Sequence, residues 1–503
     1  MTVAHLSDVE WRRDAYHQTR RGGGPGVDGV TASGYAANLE AHLSDWQARW
    51  RHGRDDAPPV KRTDVPKEDG RQRPMGMPTF EDTMVQRAVA RLLGASSAPD
   101  VHECSYGVRA GRSPHQALHV WRARCLPEHS GWIVDADVRA FFDRLDHDVW
   151  CEVLTQRVQE GAILRLIRTW LQAGVLAGDP LSSPERGSPQ GDVLSPLLAN
   201  IALDGLAKRL GKGYRVARYA DDIVVMAKSL HAIEQACPVV TSFLDERGLA
   251  VHPENTRIVQ RTEGFDFLGF HVQMRGQKLL ITPQKQQVQT LLQEVRSWLK
   301  THPTVTAEAV IRQLNPLIRG WAMYYRHVVS KHTFQHVDYH IWRALWRWAK
   351  RRHPKKPRRW LYRRYFEVGK YGATFYTDSR GRRGQTIRFR LERMPTIPIV
   401  RHVKVKGRAS PDDPTLTAYW EARRLKRGRQ RVAKGSLLYG IAEAQRWQCP
   451  GCGQALFDGQ EVHLHHRIPV HAGGSDDRAN LQWLHATCHR QRHRQGVTAG
   501  QSA

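Results

Sequence analysis

The chain has 503 residues, too many for one compact core, and its 77 Lys and Arg against 49 Asp and Glu leave a net charge of +28. A solvated surface of mixed sign does not explain an imbalance this one-sided, whereas a polyanionic partner does. Hydrophobic content of 40% with 16 Trp speaks for folded domains over a disordered basic tail, and no apolar run approaches the roughly 18 residues of a membrane span. The first twenty residues carry Asp8 and Glu10 and no hydrophobic core, so neither a secretory signal nor an acid-poor transit peptide fits, and an intracellular location is expected.

In chain order, residues up to 60 read as helical and basic, interrupted by Gly22-Gly23-Gly24-Pro25-Gly26-Val27-Asp28-Gly29. From 61 to about 272, short β-branched runs alternate with helical stretches such as 83–93 and 194–210, the texture of an α/β or α+β domain. Lys67, Arg71 and Arg73 lie on a hairpin-like loop and suit the bridging of triphosphate oxygens. The strand-like run Trp132-Ile133-Val134-Asp135-Ala136-Asp137-Val138 closes on one carboxylate. Five residues later stands Phe142, a bulky ring suited to rejecting a sugar 2′-hydroxyl. Gln190 and Gly191 sit in a turn before an amphipathic helix, where a backbone can approach a template or nucleotide. Then comes Tyr219-Ala220-Asp221-Asp222, flanked by Val216-Ala217 and Ile223-Val224-Val225-Met226. An acidic pair in a turn is ordinarily a solvated turn; with Asp137 on a neighbouring strand, the three carboxylates describe a two-metal phosphoryl-transfer site.

Residues 282–366 are mainly helical and dense in Trp and in Arg or Lys. Arg319 within Leu314-Asn315-Pro316-Leu317-Ile318-Arg319-Gly320-Trp321, then Trp342, Trp346 and Trp348, precede a basic run that includes Lys350, Arg351, Arg352, Lys355, Lys356, Arg358 and Arg359. Most of these Trp are expected in a helical core, and the basic side chains on an RNA-facing surface. Beyond 371 the chain is irregular and basic until a Cys/His module after 437. There Cys449-Pro450-Gly451-Cys452 and His485-Ala486-Thr487-Cys488 form two two-residue-spaced pairs, the ligand set of a closed tetrahedral Zn²⁺ site. Cys104, Cys125, Cys151 and Cys237 are scattered and read as reduced thiols.

The order of these motifs resembles that of group II intron-encoded reverse transcriptase/maturases. The characteristic blocks of that family fall at 24–29, 66–86, Ser105-Tyr106-Gly107-Val108-Arg109-Ala110-Gly111-Arg112-Ser113, 132–147, 187–203, 218–222 and Gly264-Phe265-Asp266-Phe267-Leu268-Gly269-Phe270. The resemblance implies a multidomain α+β protein: a right-hand fingers-palm polymerase fold, a helical thumb/maturase domain and a C-terminal zinc-stapled ββα-metal (HNH) module. It places a basic extension at 1–60, fingers and palm at 61–275, thumb and maturase domain X at 276–370, and a basic DNA-binding region at 371–436. The HNH module takes 437–495 and a flexible tail 496–503. Asp137, Asp221 and Asp222 would hold two Mg²⁺ for RNA-directed DNA synthesis, with Lys67, Arg71, Arg73, Phe142, Gln190 and Gly191 around the nucleotide. In the HNH module His466 would be the general base and Asn480 would orient the water. His465 and His489, with His493 a weaker candidate, would hold a catalytic divalent cation. Implied partners are group II intron RNA in a ribonucleoprotein, target double-stranded DNA and dNTPs, with no membrane, in a bacterial cytoplasm near the nucleoid. Three residues depart from the family pattern: Asp192 stands where a second glycine is usual, Asn255 where a lysine that protonates pyrophosphate is usual, and His465 where many HNH proteins have an aspartate. A defence-associated reverse transcriptase, a splicing factor with degenerate catalysis and a non-cleaving zinc ribbon are the competing readings.

Overall fold

The computed structural model describes residues 9–19, 24–52, 57–66, 72–97, 104–124, 131–139, 141, 146–156, 158, 160–173, 175–176, 192–254, 256–369, 372–380, 386–407, 409–429, 432, 437–457, 460–469, 475, 477–489 and 492. It divides into two units, Met1–Arg408 and Ala409–Ala503. The first begins with helices α1 (Val9–Gln18), α2 (Ala32–Ala37) and α3 (Leu39–His52), which bury Tyr16, Tyr35 and Trp46. Next come a hairpin of β1 (Val60–Pro66) and β2 (Gln72–Met77), α4 (Phe80–Ser97), α5 (Pro114–Arg124), β3 (Trp132–Asp137), α6 (His147–Thr155), α7 (Gly161–Gln172) and β4 (Val175–Leu176). The helical stretch expected over 194–210 is two helices, α8 (Ser195–Ala202) and α9 (Leu206–Leu210). The break falls at Gly205, whose φ of +98° a helix cannot accommodate.

Strands β5 (Arg215–Tyr219), β6 (Asp222–Ala227) and β7 (Arg257–Gln260) join β3 in an antiparallel sheet of order β5-β6-β3-β7, with α10 (Leu230–Asp245) packed on it. Val134, Ala136, Ile223 and Val225 face one core, shared with the fingers; Ile133, Ala217, Val224 and Met226 face a second, shared with the thumb. Burial on both faces is why β6 reads as an unbroken apolar run rather than an alternation.

The thumb-side core continues through β8 (Phe265–Phe267), β9 (Phe270–Arg275) and β10 (Lys278–Pro283) into α11 (Lys285–Thr301), α12 (Ala307–Tyr325), α13 (Lys331–Arg352) and α14 (Arg358–Tyr365). Trp348 is fully buried and donates to the His302 carbonyl at 3.1 Å, while Trp321, Trp342, Trp346 and Trp360 are half-buried against the same core. A further sheet, β11 (Phe366–Gly369), β12 (Gly372–Arg380) and β13 (Thr386–Arg390), adds Phe366 and Phe375, with Leu391 and Met394 beyond it. The mostly buried pair Arg393–Asp338, 2.7 Å, ties the chain beyond this sheet to α13. The boundary expected at 370 thus falls inside a sheet, since β11 pairs with β12 from Phe366↔Phe375 to Gly369↔Gly372.

The second unit holds α15 (Thr417–Arg429), α16 (Leu437–Ala444) and a hairpin of β14 (Val462–His466) and β15 (Leu481–His485). These surround a small core of Ala442, Cys449, Leu456, Phe457 and Leu484. Among the described residues, no helix is long and apolar enough to cross a membrane.

Candidate active sites

In the palm, antiparallel pairing sets Asp137 of β3 directly opposite Asp222 of β6. The period of two along a strand puts Asp135, Asp137 and Asp222 on one face, and Asp221 precedes Asp222 in the turn. All four are half-buried. Burial, then Asp221, Asp137 and Asp135, push Asp222 up to about 7. Burial and Asp137 push Asp135 up to about 6, against the pull of Arg257. Crowded hard-oxygen ligands that resist ionising together are the donor chemistry of a divalent-cation site, so Asp137, Asp221 and Asp222 fit Mg²⁺. Asp135 joins this group unforeseen. The two-residue spacing to Asp137 was the available signal.

A polar brace lies on the other side of the turn. Arg218, 2% exposed, donates to the carbonyls of Asn200 (3.2 Å) and Ala220 (3.4 Å). Asn200 in turn donates to Gly107 O at 2.8 Å and accepts from Ser105 Oγ at 3.0 Å. Main-chain bonds Arg218 N to Cys104 O and Tyr106 N to Arg218 O complete it. A Cβ on Gly107 would lie 2.4 Å from Ala220 N, so only glycine allows the Ser105-Tyr106-Gly107 block to abut the turn. Ala220 is held there at φ +56°, a left-handed conformation rare outside glycine. Burial lowers Arg218 to about 10, which leaves it a cation at neutral pH.

Of the nucleotide contacts expected, Lys67, Arg71, Phe142, Gln190 and Gly191 lie outside the described residues, as does the Arg73 side chain; Asn255, His493 and Cys125 are outside them too. Asp192 is described, and it faces the start of α8, accepting the Ser195 N–H at 2.8 Å. Its burial raises its pKa. The departure from glycine therefore supplies an acceptor for the first N–H of α8. Cys104, Cys151 and Cys237 are half-buried free thiols.

On the thumb, Lys350, Lys355, Lys356, Arg358 and Arg359 are exposed. Arg351 and Arg352 instead reach back to main-chain carbonyls, Leu299 O for the first and Pro303 O and Val305 O for the second. Arg319 is paired with Glu392. These three of the expected RNA contacts are already engaged within the fold.

In the C-terminal unit the ligand atoms of Cys449, Cys452, His485 and Cys488 all lie within 4.8 Å of one another. His485 Nε2 lies 3.2 Å from the Ala455 carbonyl, which fixes the proton there and turns Nδ1 toward Cys452 Sγ, 3.3 Å away. Burial and the adjoining Cys452 and Cys449 push the Cys488 thiol up to about 11. Three thiols and one imidazole in this arrangement fit Zn²⁺. A Cβ on Gly451 would come 2.8 Å from Cys488 Cβ, so glycine is what lets the Cys449–Cys452 knuckle close on its partner.

Beside it, alternation along β14 puts His463 and His465 on one face and His466 on the other. The His489 ring stands edge-on to both of the first two, with centroids at 5.2 and 5.1 Å. His465 and His489 are therefore close enough to share a cation, and His463, held near Glu461 at 3.4 Å, is a neighbour that the motif alone did not single out. Asn480, expected to orient the water, is engaged with the adjoining loop. Its amide donates to Ile468 O (3.0 Å) and Ser475 O (2.7 Å) and accepts from Ile468 N (2.7 Å). Both amide hydrogens are spent on the loop that follows His466.

Three family models match the chain: reverse transcriptase (RNA-dependent DNA polymerase) over residues 65–272, group II intron maturase-specific domain over 288–366, and HNH endonuclease over 449–495. The chain carries a reverse transcriptase domain, a group II intron maturase-specific domain and an HNH endonuclease domain. The chain is 27% identical to protein YkfC of Escherichia coli over 308 residues, 52% of this chain and 80% of that one. It is 35% identical over 153 residues to the group II intron-encoded protein LtrA of Lactococcus lactis, 30% of this chain and 25% of LtrA. It is 33% identical over 150 residues to an uncharacterized 91 kDa protein in the cob intron of Schizosaccharomyces pombe, 29% of this chain and 18% of that one. The match thus spans a quarter or less of the length of the last two. Among solved structures it aligns with telomerase from Candida albicans at TM-score 0.39 and 15% identity, over 66% of this chain and 65% of that one. Its fold is a reverse transcriptase fold of mixed helix and sheet. Its reverse transcriptase and maturase families bind RNA, and its reverse transcriptase and HNH families are metal-dependent.

Proposed function

We propose that this chain stabilises its group II intron RNA, copies RNA into DNA in the palm, and nicks target double-stranded DNA with the HNH module to release the primer it extends. The observation that carries the reading is the register pair Asp137↔Asp222 with Asp221 beside it, a carboxylate cluster on the unit that also bears the maturase segment. Two Mg²⁺ held by Asp137, Asp221 and Asp222 would supply Lewis-acid stabilisation to the attacking 3′-hydroxyl and the leaving pyrophosphate. The chain's own residues do the rest. The Arg218–Asn200–Ser105 brace fixes the turn that carries Asp221, and the half-buried setting of the carboxylates limits water around the reacting phosphate.

In this reading Lys67, Arg71 and Arg73 contact the triphosphate, Gln190 and Gly191 approach the nucleotide, and Phe142 selects deoxyribose. The exposed Lys350, Lys355, Lys356, Arg358 and Arg359 grip intron RNA phosphates, in a cytoplasmic ribonucleoprotein. In the HNH module His466 withdraws a proton from water, and a divalent cation on His465 and His489 would stabilise charge on the scissile phosphate. Zn²⁺ on Cys449, Cys452, His485 and Cys488 holds the module together. Having nick and polymerase on one polypeptide keeps the new 3′-end at high local concentration.

Purified protein with an RNA template, a DNA primer, dNTPs and Mg²⁺ tests the polymerase: extension that disappears in Asp221→Asn is expected, and no extension by the wild type would overturn it. His466→Ala should keep DNA binding and lose bottom-strand nicking; nicking retained by that variant rejects the HNH assignment.

A further inference from the structure

We propose that a cationic cluster where α5, the α12–α13 turn and residues 401–404 meet binds the phosphodiester backbone of the intron RNA; this rests on the reading of the chain as an intron-RNA-binding protein. One face of α5 presents His115, His119 and Arg122 at helical spacings of four and three. The turn between α12 and α13 brings His327, whose ring centroid is 4.7 Å from that of His115 and whose carbonyl accepts from Arg122 at 3.3 Å. The third segment brings Arg401 and Lys404. It is pinned by Val400 N to Arg326 O (3.0 Å) on one side and by Val405 N to Gln116 Oε1 (3.2 Å) on the other. A small cleft is lined by His119, Arg122, His327 and His402.

Among the described residues, the charges acting on His119 and Arg122 are positive. After burial, Lys404, Arg122 and Arg401 all lower His119, and Arg401 lowers Arg122. A fold with so many basic residues keeps its stability best by spreading them. Here three segments, more than seventy residues apart along the chain, gather cations and half-bury several of them, so Arg401 and Arg122 repel one another. An anion relieves that repulsion. A metal ion does not suit the site despite its imidazoles, because Arg122, Arg401 and Lys404 would repel it. Guanidinium forks and an ammonium suit phosphate oxygens, and such contacts do not depend on base identity. RNA is the favoured source of the phosphate because His327 belongs to the segment matched by the maturase-specific model, 288–366.

The test compares full-length wild type with the Arg401→Gln/Lys404→Gln double variant in equilibrium binding to the intron RNA across a KCl series, with duplex DNA in a parallel arm. The variant should bind the RNA roughly tenfold more weakly at about 0.1 M KCl, with a salt slope shallower by about 1 to 2. The swap Arg401→Lys/Lys404→Arg should restore most of the affinity. Primer extension on an unrelated RNA template should match wild type, which shows that the variant is folded. Equal RNA affinity and slope in the two proteins overturns the proposal, as does a loss confined to duplex DNA. If wild type itself fails to bind the intron RNA, the RNA-binding reading falls together with this site; if wild type binds and the variant is unchanged, this site alone falls.

Discussion

The palm and the C-terminal module both assemble metal-type ligands, and they do it with different donor chemistry, hard carboxylate oxygens in the one and soft sulfur with an imidazole in the other. In the module, three thiols and an imidazole come within 4.8 Å of one another, the one such group of three or more ligands among the described residues. In the palm, the carboxylates are held at register positions of stiff paired strands, and burial first, then the neighbouring carboxylates, raise the pKa of Asp222. Soft sulfur and imidazole ligands that close around one cation can sit against a small core, so the module's site is part of its fold. Carboxylates facing one another need rigid β-strands and a brace such as Arg218 to stay close, so the palm's cations are expected to exchange with solvent and substrate.

Metal removal breaks the comparison most sharply. A zinc-selective chelator in excess Mg²⁺ should unfold the module, since a structural zinc of this kind contributes on the order of 10 kcal/mol. Limited proteolysis within 437–489 would report it, with primer extension persisting in the same sample. Next, Asp221→Asn should lower nucleotide incorporation by roughly a thousandfold, several kcal/mol of charge stabilisation, without lowering the thermal midpoint, because it removes a charge from a repulsive group. Single-turnover incorporation and a melting curve check the two halves.

A smaller effect is set by pH. The folded-state pKa of Asp222, about 7, lies above its ordinary 3.8, so protons compete with Mg²⁺ below about pH 7. Apparent Mg²⁺ affinity in primer extension should therefore fall as pH drops from 7, approaching tenfold per unit. In the metal-free protein the raised pKa works the other way: stability held at low pH is lost as pH rises through about 7, and Asp222→Asn should flatten that loss. Least in size, Asn480→Ala should destabilise the module by about 1–3 kcal/mol through its three lost loop bonds, leaving zinc stoichiometry intact. His466→Ala should leave the melt unchanged. An Asn480 variant with an unaltered melt would return that residue to the chemistry.

Much of the site was legible because its signals are local. A carboxylate ending an apolar strand, an acidic turn inside an apolar hairpin and two Cys/His pairs each announce themselves within a few residues. Asp135 was less so: it reads as one polar position in a strand until the register shows it on the face of Asp137 and Asp222. The brace was hidden more deeply, since Ser105, Asn200 and Arg218 are ordinary residues until the fold stacks them under Ala220. Arg319, Arg351 and Arg352 show the converse. As basic residues in an aromatic-rich run they look like RNA contacts, and their intramolecular partners Glu392, Leu299, Pro303 and Val305 are set by helix packing.

By itself the sequence determined the order of domains, the polyanionic class of partner and the identity of the metal-type ligands, because residue type and short spacing set charge, softness and strand periodicity. Tertiary structure alone decided which carboxylates face one another, that Asp192 accepts the first N–H of α8, that Asn480 clamps a loop, and that Arg122, Arg401 and Lys404 share one cluster. Those depend on strand register and on contacts between segments far apart in the chain, and no local pattern encodes either.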